Sequence, residues 1–142
     1  MNNIDQGQTI IRTVVPEEDR CQVVEDLFGI DFPLRLEPLI FHIAGTMAPS
    51  YTGGYWAFFT LSNGGFYLAP EGPDRYLASS MNGWSGGLSA DALGITVCLT
   101  AYSHLSFGGP PAFARRCAEH YHRLRDYMLE HGEAGPILAA TD

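Results

Sequence analysis

The chain has 142 residues, 46% of them apolar and 17% charged. That length reads as one domain, and that composition as a globular fold rather than a disordered segment. Sixteen Asp and Glu face eight basic residues, all of them Arg, for a net charge of -8, which argues against a nucleic-acid binder with a basic face.

No basic segment precedes an apolar stretch near Met1, so no secretory signal is expected. The longest apolar region, Leu93 to Phe107, is too short for a membrane span and carries Thr96, Thr100, Ser103 and His104. It is expected to be a buried core helix. Cys21, Cys98 and Cys117 make an odd set without Cys-x-x-Cys spacing, which fits a reducing compartment. Cys98 and Cys117 fall at apolar helical positions and are expected to be inert.

Residues 1–15 read as a loosely held arm. Pro16-Glu17-Glu18-Asp19 then opens a helix, with proline in the first turn and acids at the positive end of the helix dipole. Val23, Val24, Leu27 and Phe28 give its apolar stripe, and Gly29 ends it. A second helix is expected from about Arg35 to Met47, before Pro49.

Tyr51–Pro70 holds two aromatic strands around Asn63-Gly64, a dipeptide suited to a two-residue hairpin turn. That turn predicts pairing of Leu61 with Phe66, Thr60 with Tyr67 and Phe59 with Leu68. Tyr55, Ala57, Phe59, Leu61, Phe66 and Leu68 would then face the core. Trp56, Phe58, Thr60, Tyr67 and Ala69 would form the other face, either packed under a helix or exposed as a contact surface. A slip of one residue exchanges the two sets. Arg75–Met81 reads as a third strand beside the hairpin, and Trp84–Leu88 as a short fourth strand or an ordered loop.

Ser89 is an apt N-cap, with Asp91 in the first turn of the helix it starts. Leu93, Ile95, Val97, Cys98, Leu99, Ala101, Tyr102 and Leu105 surround that helix with apolar groups, and Gly108-Gly109-Pro110 ends it. A last long helix is expected over about Pro111–His131, with Phe113, Cys117, Tyr121, Leu124 and Met128 as its stripe. Strands in the middle with helices on either side give an α+β fold: a small antiparallel sheet, the hairpin plus one or two strands, packed with four to five helices.

Motifs that could carry chemistry are sparse. Gly83-Trp84-Ser85-Gly86-Gly87 matches the nucleophile-elbow pattern, but the helix signal begins only at Ser89 and no strand–helix alternation surrounds it. His120 and His122 point to different sides of a helix, and the five histidines are expected to be solvent-facing or locally hydrogen-bonded rather than metal ligands. Arg115, Arg116, Arg123 and Arg125 alternate with acids and read as a solvated helix face. Asp91 is expected to satisfy its helix N-terminus. The glycines form no phosphate-binding loop. No catalytic, cofactor-binding or metal-binding residue is assigned.

Three stretches together resemble the antirestriction proteins of the ArdB/KlcA type. They are Gly53-Gly54-Tyr55-Trp56 through Thr60–Pro70; Asn82-Gly83-Trp84-Ser85-Gly86 with Leu88–Ala92 and Gly94-Ile95; and Tyr121-His122-Arg123-Leu124-Arg125 with the closing segment to Asp142. The resemblance runs from about Arg35 onward. It implies a single antirestriction-type domain over 1–142, α+β and cytoplasmic, carried by mobile elements such as plasmids. It implies protection of incoming DNA from host type I restriction–modification enzymes, with no cofactor and no enzymatic activity.

Three mechanisms follow. The first is an interaction protein touching the restriction enzyme or a factor controlling it, with Trp56, Tyr67, Trp84, Asp91 and Asp142 as candidate contacts. The second, DNA mimicry, is disfavoured: a B-DNA turn presents about 20 charges, against a net -8 on the whole chain. The third is a small hydrolase using Ser85 or a carboxylate. An aromatic ligand-binding module built on Trp56 and Tyr67 is a further alternative.

Overall fold

The computed structural model describes residues 9–142. The first eight residues of the expected N-terminal arm lie outside the described residues. The rest of that arm is not loose. Arg12–Val14 form β1, which pairs antiparallel with β2, and Val15 beyond it is buried. The element is three residues long with every side chain exposed, so no alternation announces it in the sequence.

A 3-10 turn over Glu17–Asp19 leads into α1, Arg20–Phe28. Gly29 ends α1 at φ 64°, donating its N–H to the Glu25 carbonyl. A π-helical turn, Phe32–Leu36, runs into α2, Glu37–Met47. The hairpin follows as β2, Trp56–Leu61, and β3, Phe66–Pro70. Next come β4, Arg75–Ser79, and β5, Ser85–Ser89. The chain closes with α3, Ala90–Leu105, α4, Pro111–Met128, and α5, Ala134–Thr141. The fold is α+β, with helices packed on two small antiparallel sheets ordered β1-β2-β3 and β4-β5.

The hairpin register differs from expectation by one residue. Thr60 pairs with Phe66, Phe59 with Tyr67 and Phe58 with Leu68. The turn is a three-residue loop: Leu61 receives and returns the hydrogen bonds that close it, to Gly65 and from Gly64. Among the described residues only glycines have positive φ, and in this turn Gly64 alone does, at 91°. This is the type I turn with a glycine bulge. The slip puts Trp56 and Phe58 into the core and leaves Tyr55 78% exposed. β3 is buried on both faces.

The β4–β5 hairpin repeats the same device. Ser80 pairs with Trp84 across Met81-Asn82-Gly83, and Gly83 has φ 94°. In both turns the Asn Oδ1 accepts the backbone N–H two residues on, at 3.0 Å. In both, the Asn Nδ2 donates 2.9 Å to a helix carbonyl: Asn63 to Arg123 of α4, Asn82 to Ala139 of α5. Each hairpin tip is thereby pinned to a helix. β4 and β5 pair with each other rather than extending the first hairpin. The free edge of β3 is instead covered by α3. The carbonyls of Phe66 and Leu68, which the register turns away from β2, accept from Tyr102 Oη at 2.8 Å and Cys98 Sγ at 3.5 Å.

α3 is buried along most of its length, as its apolar circumference requires, and the Ser89 Oγ accepts from Ala92 N at 3.1 Å. α4 buries Phe113, Cys117, Leu124 and Met128. It departs from expectation in ending at Met128, in leaving Tyr121 half-buried, and in taking in His120, which is 1% exposed between Phe28 and Tyr102, at ring distances of 4.7 and 5.6 Å. The His120 Nδ1 has no hydrogen-bond partner among the described residues. Burial, with Arg123 and Arg116 nearby, pushes this imidazole down to about 4. A free histidine titrates near 6.5. The unfolded chain therefore binds this proton first, and stability is full above about pH 6.5 and falls as pH drops toward 4. Between pH 7.5 and 5 the loss through His120 is about 2 kcal/mol, at about 1.4 kcal/mol per unit. Urea unfolding at the two pH values measures it, and His120→Phe is expected to flatten the difference.

Candidate functional site

The sequence candidates divide between two places. Asp91, two residues past the α3 N-cap, does not turn to its own helix end, because Ser89 already caps it. It collects side chains from three other elements instead. Arg12 of β1 donates Nη1 to Asp91 Oδ1 at 2.6 Å and to Tyr67 Oη at 2.8 Å. Tyr67 of β3 donates its hydroxyl to Asp91 Oδ1 at 2.8 Å. His131, in the α4–α5 connection, lies with Nε2 2.8 Å from Asp91 Oδ2. The Arg12 guanidinium also sits 4.4 Å over the Phe59 ring, which stacks on Tyr67.

Electrostatics follow from this geometry. Burial works to raise the Asp91 carboxyl, but the hydrogen bonds from His131 and Tyr67 and the Arg12 charge outweigh it and hold the group below its ordinary range. Burial and the Asp91 charge push the Tyr67 phenol far up. Glu133 is likewise held low, against burial, by hydrogen bonds from the Ser89 hydroxyl and backbone N–H and by Arg75 at 3.7 Å.

A His–Asp pair suggests acid–base chemistry, and the hydrogen bonds decide what this one can do. The Glu133 backbone N–H donates to His131 Nδ1 at 2.9 Å. Nδ1 is therefore the acceptor nitrogen and Nε2–H points at Asp91. Both nitrogens are engaged, so the ring has no lone pair to offer a nucleophile. Ser85 lies opposite Ser79 in the β4–β5 ladder, not on a strand-to-helix elbow. What the cluster does is fasten β1, β3, α3 and the α4–α5 connection together.

Trp56, expected as a contact, is 4% exposed. Its Nε1 donates to Tyr51 Oη at 2.8 Å, and its ring meets Phe41 and Tyr51 edge-on. Tyr67 is fully buried. The register slip and the double-sided burial of β3 remove both rings from the surface, and with them the stacking platform. Trp84 is half-buried and folds over Gly86, where a Cβ would lie 2.8 Å from the indole.

Asp142 stands apart, at a cleft of about 500 Å³. His42 and Met47 of α2, His104 and Phe107 at the end of α3, Met81 of the β4–β5 turn and Tyr121 of α4 line it with Asp142. Met81 is wholly exposed and Phe107 is 86% exposed, so the cleft has apolar lips. Arg12, His131 and the two lips carry no local signal in the sequence, and Met81 was expected at the end of a strand rather than in the turn where it lies. Among the described residues no group of three His, Cys, Asp or Glu gathers as a metal site, and no helix is long and apolar enough to cross a membrane. Asp91, Asp31 and Glu133 are each paired with an arginine rather than displayed as free charge.

Comparison with known proteins agrees with this architecture. The family profile described as antirestriction protein matches residues 49–142. The antirestriction protein KlcA of Escherichia coli is 40% identical over the full length of both chains. The uncharacterized protein YfjX of Escherichia coli K12 is 42% identical over 92% of this chain and 86% of its own. A solved structure from work on the KlcA and ArdB proteins superposes with a TM-score of 0.87 at 34% identity, covering all of both chains. That work describes a novel fold and antirestriction activity against type I DNA restriction systems in vivo but not in vitro. The chain belongs to the antirestriction protein family and has the KlcA/ArdB fold.

Proposed function

We propose that this chain protects incoming mobile-element DNA from the type I restriction–modification enzymes of its bacterial host, acting in the cytoplasm by contact with a protein rather than by catalysis or imitation of DNA. The observation that carries the reading is the full-length match to KlcA/ArdB proteins, whose activity is present in vivo and absent in vitro. Such a difference is what a route through a host factor controlling the restriction enzyme produces. The partner is that factor or the enzyme itself. The cleft between Asp142, Met81 and Phe107 is the contact surface we favour, because exposed apolar side chains around a concavity mark interaction sites.

The test is plating of unmodified phage on cells with a type I system expressing the chain. Met81→Glu combined with Phe107→Glu is expected to abolish protection while leaving the fold intact, because both side chains lie in solvent. Ser85→Ala is expected to protect as the parent does. Full protection by the double variant would remove the cleft from the mechanism, and loss of protection in Ser85→Ala would restore the hydrolase reading. Purified protein added to purified restriction enzyme on unmodified DNA separates direct from indirect contact: inhibition in the tube identifies the enzyme as the partner.

A further inference from the structure

On the side of the molecule built from α1 and the start of α2, Arg20 is incompletely satisfied. Its guanidinium lies 4.6 Å over the Phe58 ring, and its Nε is buried without a hydrogen-bond partner among the described residues. Arg12, Arg35 and Arg75 each have a carboxylate within ion-pair distance; among the described residues Arg20 has none. Arg20 as a whole is half-buried, but a buried guanidinium nitrogen without an acceptor calls for an explanation in a folded protein.

The same arginine lines a cavity of about 340 Å³. Phe58, Phe32 and Val24 supply its apolar surface, and Glu25 and Glu37 line it as well. Burial raises the Glu37 carboxyl, and no cation pairs with it among the described residues. The volume lies at the lower end of small-molecule sites.

We propose that this cavity binds a free α-amino acid with an apolar side chain, its carboxylate on Arg20, its ammonium on Glu37 and its side chain against Phe58. The charge pattern selects this class. A simple organic anion would meet two acids, and a simple cation would meet Arg20. A zwitterion complements both signs of charge in the lining, and an aliphatic or aromatic side chain suits its apolar residues. The site shares α2 but no lining residue with the cleft at Asp142, so it stands or falls separately from the antirestriction reading.

Titration of the full chain with L-phenylalanine and L-leucine, followed by backbone amide shifts, tests it. Saturable shifts at residues 20–37 and at Phe58 are expected, with Kd about 1 mM for a site of this size. L-Phenylalaninamide, which lacks the carboxylate, and N-acetyl-L-phenylalanine, which lacks the ammonium, are each expected to bind about tenfold more weakly or worse. Arg20→Gln should weaken phenylalanine similarly and erase its advantage over the amide, while Glu37→Gln should erase its advantage over the N-acetyl form. The same spectra report whether each variant is folded. Absence of saturable shifts in the parent chain overturns the proposal, and so does equal affinity for phenylalanine and either blocked form.

Discussion

Alanine at position 94 is expected to destabilise the protein by about 3 kcal/mol, which for a chain of this size lowers Tm by roughly 10 °C. Gly94 is where α3 crosses the edge of β3. A Cβ there would lie 2.3 Å from the Ala69 Cβ, 2.5 Å from the Ala69 Cα and 2.6 Å from the Leu68 carbonyl oxygen. Two of these obstacles are backbone atoms of a strand buried on both faces, so no rotamer change relieves the clash. The helix must move away. That movement stretches the bonds from Cys98 and Tyr102 that cap the strand's outward carbonyls. Gly45 provides the opposite sign. It is an exposed residue of α2 with nothing within 4 Å of its would-be Cβ. Alanine there should stabilise by about 0.5 kcal/mol through helix propensity. Urea unfolding of the two variants measures both effects. Equal stabilities would mean that α3 and β3 are not held as tightly as their packing indicates.

The helices were legible in the sequence because their signals are local. Ser89 caps α3, an apolar circumference buries it, and a regular stripe with Gly and Pro punctuation marks α4. The hairpin was legible in kind but not in register. Asn63-Gly64 serves both a two-residue turn and a three-residue turn with a glycine bulge, and the strand that could decide between them gives no alternation, because α3 and the first sheet's aromatic core bury Phe66 through Pro70 on both sides. The pairing of β4 with β5, apart from the first hairpin, is a tertiary outcome; the same strand sequences would have extended one sheet equally well. α5 opens through Ala134-Gly135-Pro136, where glycine and proline are poor helix formers. It stands as a helix beside β5, with Asn82 donating to its Ala139 carbonyl. Of the candidate contacts, Asp91 was recognised for its position but assigned to its own helix end, a task that Ser89 performs. Its real partners, Arg12, Tyr67 and His131, are 79, 24 and 40 residues away, and nothing local links such positions. His120 was misplaced for a related reason: an imidazole on an apolar stripe is easily read as polar surface, yet here an aromatic cluster takes it in as a neutral ring.

Asp91→Asn is expected to destabilise the protein by about 2 kcal/mol at pH 7, more than a surface ion pair contributes, though less than a fully buried one, because Arg12 and Asp91 are partly open to solvent. The reason lies in the hydrogen-bond directions. An asparagine that turns its oxygen to Arg12 and Tyr67 presents its NH2 to His131 Nε2–H, donor against donor. The ring cannot escape by moving its proton to Nδ1, because that nitrogen already accepts the Glu133 N–H. Turning the amide over satisfies His131 and sets the NH2 against the Arg12 guanidinium instead. Either way one donor is stranded. The first element to loosen is β1, whose three side chains are all exposed and which is otherwise held by its ladder with β2 and by Val15. Amide exchange at Thr13 and Val15 should therefore quicken in the variant beyond the change in global stability. The pH dependence has a fixed sign. The folded Asp91 carboxyl titrates below its unfolded value, so its contribution is present above about pH 4 and is lost as pH falls through the folded value. The gap between the parent and Asp91→Asn should narrow in acid, and urea unfolding at pH 7 and pH 3 measures it. A gap unchanged at pH 3 would mean that the carboxylate charge is not what fastens the amino-terminal strand to α3.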